Sequence, residues 1–435
     1  MTPAEQLEAM GHARVLVVLK PNKKKKEDGR MNLALDETIS LQQEAARDLR
    51  KHFRAFRNSR FSLLAREAAT AVKSAAEPIK YAIDERAKAI GTQNAVQYFP
   101  NLGIMLGTVD RAGLTALEKN DKEVGAVFSP PDLSLIRPYE DSALAGPPVG
   151  ESWSLGRLKI PDLWAKGLTG NGILVGHIDT GVDAAHPSLQ GAVDSFALFD
   201  EAGRQIANAQ ASDSQYHGTH TAGILVGKPF NGSTFGCAPD AKLAVATVIE
   251  GGDTTARVVA GLDWCVGQGV RLVNVSLGLR QFTPQFSTIL QLLRQRNILP
   301  IVAIGNEGSM TSRTPGNLPE ALSVGAMDEM DQIWINSSSQ QIAEEPKRYV
   351  PVIIGPGAGI WSSVPGAQLR SLSGTSMATP HISGLAALLL QHRPEMTIGD
   401  LEKAIVTSCK RPPGISTLRG NKGVPNGVDA LAALG

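Results

Sequence analysis

Over the last two-thirds of the chain, apolar residues gather in short blocks separated by amphipathic stretches. From Trp153 onward the blocks are Ile173–Asp179 (ILVGHID), Lys242–Ile249 (KLAVATVI), Arg271–Gly278 (RLVNVSLG) and Leu299–Asn306 (LPIVAIGN). Between them, HGTHTAGILVG, TTARVVAGLDWCVGQG and QFSTILQLLRQRN carry apolar residues at helical spacing. Strands that are apolar on both faces, alternating with helices, predict an α/β fold: a doubly wound, mostly parallel sheet with helices on both sides. In such a sheet the chemistry belongs at the carboxyl ends of the strands.

The first third reads differently. Residues 13–20 form a short apolar run, a strand. Residues 36–90 contain no Gly and one Pro, Pro78, and place Leu41, Ala45, Leu49, Phe53 and Phe56 at helical spacing. They predict one or two long helices, broken near Asn58 or Pro78. Arg47, Arg50, Lys51, Arg54, Arg57 and Arg60 make the first half of this stretch basic. That face is either simply solvated or a docking surface for an acidic partner. Residues 95–136 read strand, turn, helix, strand. Residues 137–152, RPYEDSALAGPPVGES, have turn-rich composition and no period, as a linker does. The expected organisation is a small α+β domain over 1–136 with a helical insertion at about 36–90, a linker over 137–152, and an α/β domain over 153–435.

Composition narrows the function classes. The formal net charge is +1 and aromatics are 5% of the chain, so neither a global basic field nor a base-stacking surface points to nucleic acid. No segment approaches the roughly 20 apolar residues of a membrane span. Val15–Leu19 is too short for a secretory leader, and the run Lys23–Lys26 follows it rather than precedes it. A soluble cytoplasmic protein is expected, with leaderless export left open. Cys237, Cys265 and Cys409 are scattered and odd in number, which argues against a disulfide framework or a cysteine metal site.

Three motifs carry candidate chemistry. Strand Ile173–Asp179 ends in a carboxylate followed by Thr180-Gly181. His217-Gly-Thr-His220 opens a helix of small residues. Gly374-Thr-Ser376 opens another. Alone, Asp179 and Ser376 would be ordinary turn or helix caps. His217 and His220 could be half of a zinc site, but no HExxH arrangement supplies the rest. Together, Asp179, His217 and Ser376 supply what hydroxyl nucleophilic catalysis needs. A serine is a weak nucleophile and requires a base, and the base requires an anionic partner that sets its tautomer.

IDTGVDAAHPSL, HGTHTAGI and SGTSMATPH, at these separations and in this order, resemble the active-site motifs of the subtilisin-like serine peptidases, from Trp153 to the end of the chain. The resemblance implies a serine endopeptidase acting on protein or peptide substrates, with Ser376 as nucleophile, His217 as general base and Asp179 orienting it. It implies Asn306, in AIGNEG, as oxyanion donor beside the Ser376 N–H. Ser276-Leu277-Gly278 would pair with substrate backbone and form one wall of the first specificity pocket, and Ala303-Ile304-Gly305 the other.

Some positions depart from the family pattern. Phe230 and Ser188 stand where tight calcium sites carry oxygen ligands, so no cofactor and no tight calcium site are expected. Arg313 aligns with the pocket floor, which predicts a preference for acidic residues before the cut, the plain alternative being an exposed loop arginine. The first 136 residues resemble the family's inhibitory propeptide. Residues 36–90 would be an insertion in it, open to a regulatory protein. Its tail would lie through the active site, and self-cleavage would fall within roughly 136–151, with Glu140 or Asp141 as natural cut points. Two other outcomes stay open at this level: a catalytically silent peptide-binding pseudoprotease, and a peptide ligase or cyclase.

Overall fold

The computed structural model describes residues 1–20, 35–54, 96–131, 133–141, 146–200, 202–249, 254–280, 282–343 and 347–435, with backbone alone for 35–39. The anticipated helix breaks at Asn58 and Pro78 and the second half of the 36–90 stretch lie outside the described residues. The chain folds as two compact units. One comprises 1–132, 199–206 and 252–263; the other comprises 133–198, 207–251 and 264–435.

The first unit opens with helix α1 (Pro3–Met10), which the apolar pattern does not announce. Its signal is a capping box: the Thr2 hydroxyl accepts from the Glu5 N–H at 3.3 Å, and the Glu5 carboxylate accepts from the Thr2 N–H at 2.7 Å. An antiparallel sheet follows, built from β1 (Ala13–Leu19), β2 (Val96–Phe99), β3 (Ile104–Val109) and β4 (Val124–Phe128) in the order β2-β3-β1-β4. The apolar run 13–20 is therefore a central strand. The stretch 95–109 is a hairpin rather than one strand. It turns at Gly103, whose φ of 68° suits a residue without Cβ. Helices α2 (Leu35–Leu49) and α3 (Arg111–Glu118) cover one face. Ala46, Leu49 and Phe53 join Val15, Val17, Leu19, Leu114 and Leu117 in one core.

The second unit begins with two short strands, β5 (Ser134–Leu135), at the end of the stretch 95–136, and β6 (Tyr139–Glu140), inside the stretch expected to be an irregular linker. Its centre is a seven-stranded, wholly parallel sheet. The strands are β7 (Leu174–Asp179), β8 (Val193–Leu198), β9 (Lys242–Thr247), β10 (Leu272–Val275), then, beyond a two-residue strand β11 (Leu277–Gly278), β12 (Leu299–Ala303), β13 (Leu322–Met327) and β14 (Ile353–Pro356). Their order is β14-β13-β12-β10-β7-β9-β8. The long apolar runs are the buried strands of this sheet, as the pattern predicts. An antiparallel pair, β15 (Ile360–Val364) and β16 (Gln368–Ser373), precedes the last long helix.

Two helices bring chemistry to the sheet's carboxyl edge: α4 (His217–Val226) and α5 (Thr375–His392). Both are buried along nearly their whole length. Small residues permit this. A Cβ on Gly384 would lie 2.3 Å from the Cβ of Cys237, and one on Gly218 would lie 2.1 Å from the Gly181 carbonyl oxygen.

Candidate active site

Asp179 is the last residue of β7, an interior strand of the sheet between β10 and β9. Gly181 turns the chain immediately after it with φ 117°, where a Cβ would meet the Ser212 carbonyl oxygen at 2.0 Å. His217 is the first residue of α4. Its Nδ1 lies 2.7 Å from Asp179 Oδ1, and both side chains are buried. Asp179 Oδ1 also accepts the Thr180 N–H at 2.7 Å, and Thr221 Oγ1 lies 3.3 Å from Oδ2. Burial acts to raise the Asp179 carboxyl. The charge and hydrogen bond of His217, then His177 and the Thr180 N–H, outweigh it, so Asp179 is held below the usual carboxylate range. An ionised Asp179 fixes the His217 proton on Nδ1 and leaves Nε2 as an acceptor.

Ser376 is the second residue of α5. Gly374, not Ser376, occupies the helix N-cap, so the plain capping role does not apply. The Ser376 hydroxyl donates instead to the Ile136 carbonyl at 3.0 Å. His217 Nε2 is buried and has no hydrogen-bond partner among the described residues. The serine proton is thus turned to the chain crossing in front of it.

Asn306 follows β12 by three residues. Its Oδ1 accepts from the Thr375 N–H and from Thr375 Oγ1, both at 2.9 Å, which fixes the amide so that Nδ2 points outward. Nδ2 donates to the Arg137 carbonyl at 2.8 Å. Sequence reasoning passed over Thr375, although it sits between Gly374 and Ser376 in the motif.

The segment crossing the cleft is Leu133–Asp141. β5 pairs antiparallel with β11, Leu135 opposite Leu277 and Ser134 opposite Gly278. The Ile136 N–H donates to the Ser276 carbonyl at 3.3 Å. Ser276, Leu277 and Gly278 therefore bind extended backbone, here the chain's own. Past Arg137, β6 pairs antiparallel with β16. Glu140 and Asp141, the anticipated cut points, lie in or just after β6; the carbonyls of Ile136 and Arg137 are the ones at Ser376 and Asn306.

Arg313 is 6% exposed, which rules out the solvent-exposed loop alternative. Its guanidinium donates to Glu307 through Nε, at 3.0 Å, and through Nη2. Nη1 reaches the Gly278 carbonyl at 3.1 Å and Ser134 Oγ at 3.3 Å. A Cβ on Gly305, past the end of β12 and Ala303, would lie 3.1 Å from Arg313 Cγ. Arg313 thus touches both Gly278 and Gly305, one from each expected pocket wall. Burial acts to raise Glu307, but the bond and charge of Arg313 hold it below its ordinary value. This ion pair was not legible from Arg313 alone, though Glu307 stands next to Asn306 in the sequence.

At the calcium loop, Ser188 Oγ lies 2.9 Å from His186 Nδ1 and 2.7 Å from Ser363 Oγ, and the Phe230 ring packs edge-on to His186. One engaged hydroxyl and a phenyl ring do not fit a hard cation that needs six to eight oxygens. Nor does zinc fit at His220 Nε2, which donates to the Arg370 carbonyl at 3.0 Å.

Residues 170–430 match the subtilase family, Peptidase S8. The chain belongs to that family, whose fold and site are those of serine endopeptidases. It is 33% identical to the subtilisin-like protease PopC of Myxococcus xanthus over 61% of each chain. It is 31% identical to the major intracellular serine protease of Bacillus subtilis, over 55% of this chain and 74% of that one. With subtilisin E of the same species it shares 30% identity over 66% and 72%. The chain thus spans less than two-thirds of the first of these relatives. No helix among the described residues is long and apolar enough to cross a membrane.

Proposed function

We propose that this protein is a serine endopeptidase held latent by its own residues 133–141. One observation carries the reading: an oriented Asn306 amide and the Ser376 hydroxyl meet on two consecutive backbone carbonyls, in a domain that also holds a buried Asp179–His217 pair. When substrate replaces the resident segment, the Ser376 proton passes to His217 Nε2 and Oγ attacks the carbonyl carbon. Asn306 Nδ2 and the Ser376 N–H stabilise the oxyanion, and His217 gives its proton to the departing amine. Water then repeats the sequence on the acyl-enzyme.

In the resting chain the attack is blocked twice. The Ser376 proton is donated to Ile136, and Asn306 is engaged by the next carbonyl along. Pro138 follows Arg137, so a cut there would have to release a ring nitrogen. Self-cleavage therefore requires the segment to shift, and sequencing the new N-terminus would place the cut within 136–151. Fluorophosphonate labelling and peptide cleavage, both lost in Ser376→Ala, test the reading. A wild-type protein that neither labels nor cleaves would identify a silent peptide-binding homologue. Joined rather than hydrolysed products would identify a ligase.

Three finer points belong to the same proposal. Arg313 at the pocket floor supports a preference for acidic residues before the cut, moderated by Glu307. The hydroxyl and ring at Ser188 and Phe230 support the lack of a tight calcium site. The exposed Arg47, Arg50 and Lys51 on and after α2 support an acidic regulatory partner, so deleting 36–90 should alter latency and abolish that binding. The Bacillus relative is named as intracellular; a cytoplasmic location here is tested by fractionation.

A further inference from the structure

Beyond Arg137 the resident segment is gripped by side chains. The Asp141 carboxylate accepts from two hydroxyls, Ser371 Oγ to Oδ2 at 2.8 Å and Ser373 Oγ to Oδ1 at 2.7 Å. Ser371 and Ser373 are 4% and 3% exposed. Ser373 Oγ also accepts the Gly359 N–H at 2.8 Å, which leaves its proton for Asp141. Glu140 meets Arg370 at 3.1 Å, and the Arg370 guanidinium lies 4.9 Å over the Tyr216 ring. The backbone is in strand register, Glu140 opposite Leu372, with the Asp141 N–H donating to the Ser371 carbonyl at 3.4 Å. Consecutive strand residues face opposite ways, so the two acids are read by separate receptors.

The geometry points to an acid-selective subsite on the leaving-group side of the cleft. Ser371 and Ser373 take a carboxylate on the fourth residue after the bond whose carbonyl faces Asn306, and Arg370 with Tyr216 takes one on the third. The preferred substrate is a protein segment with acidic residues at those two places. This deepens the peptidase reading and rests on it. Asp141 dominates because both of its donors are buried. A carboxylate accepts from both at once, whereas an asparagine must turn its NH₂ toward one of them. The Glu140–Arg370 pair is exposed and adds a factor of about five at most.

The test uses the full chain. Asp141→Asn keeps the receptor and weakens its resident occupant, so its Ser376 should label with fluorophosphonate about 10-fold faster than wild type. Internally quenched peptides carrying Asp or Asn at the fourth position are then compared on this variant, with protection from labelling as a second readout. The Asp peptide should be favoured about 10-fold in kcat/KM or in protection. Adding Ser371→Ala and Ser373→Ala, in protein whose melting temperature shows it folded, should bring the ratio within about twofold. Peptides that are cleaved or protect with an Asp/Asn ratio near one would overturn the subsite and leave the peptidase standing. Absence of labelling in every form would overturn the peptidase reading itself, and the subsite with it.

Discussion

The resident segment is held in two different ways on the two sides of Ser376. Before the nucleophile, Ser134 to Ile136 are bound through backbone, opposite Ser276, Leu277 and Gly278. After it, Glu140 and Asp141 are bound through their carboxylates. Backbone pairing accepts almost any side chain, while paired hydroxyls at fixed spacing do not. The difference teaches that one half of a protease cleft can supply grip and the other half selection.

The two halves meet at Asn306, so the largest effect falls there. Asn306→Ala should lower turnover of every peptide by about 10²–10³-fold, the loss established for the matching donor in this family, with little change in KM. Charge at the pocket floor comes next. Glu307→Gln releases Arg313 to pair with substrate and should raise kcat/KM for acidic over neutral residues before the cut by about 10-fold, and Arg313→Ala should remove any such preference. Equal profiles in all three proteins would confine selection to the far half.

Acid should loosen the far half. His220 Nε2–H supports the Arg370 carbonyl on β16, with His217 and His381 nearby. Burial depresses His220 to about 3 and His381 to about 4. Their folded-state pKa values lie below the unfolded value of 6.5, so the unfolded chain binds more protons between those limits. Stability from these groups is complete above pH 6.5 and falls as pH drops toward 4, by about 1.4 kcal/mol per unit for each histidine. Thermal melts against pH check this, and His220→Gln should flatten the slope. On the near side, Ser134→Ala should alter labelling less than about twofold, since its hydroxyl only joins the Gly278 carbonyl and an already paired Arg313. The smallest effect is expected from calcium chelation, which should leave the melting temperature unchanged.

The sheet was legible because strands buried on both faces leave uninterrupted apolar runs, and Asp179, His217, Asn306 and Ser376 because each sits in a short local motif at a strand or helix junction. What stayed hidden is tertiary. Ser371 and Ser373 read as polar strand residues until Asp141 arrives from 230 and 232 positions away. The strand β6 was masked by the turn-rich composition of 137–152, because a segment added to an existing strand edge needs no core-facing period of its own. Arg313 was expected at the pocket floor from the resemblance, but its burial and its pairing with Glu307 could not be read from Arg313 alone.

His217 Nε2 gives the resting protein a built-in bias. A buried acceptor left without a donor costs roughly 1–3 kcal/mol. In the proposed latent state that cost opposes the hold of residues 133–141. When the segment departs, Ser376 can turn its proton to the imidazole and recover the loss. On the proposed reading the latch is set against a spring, and the hydrogen bond that would arm the catalyst would also help to push its own occupant out.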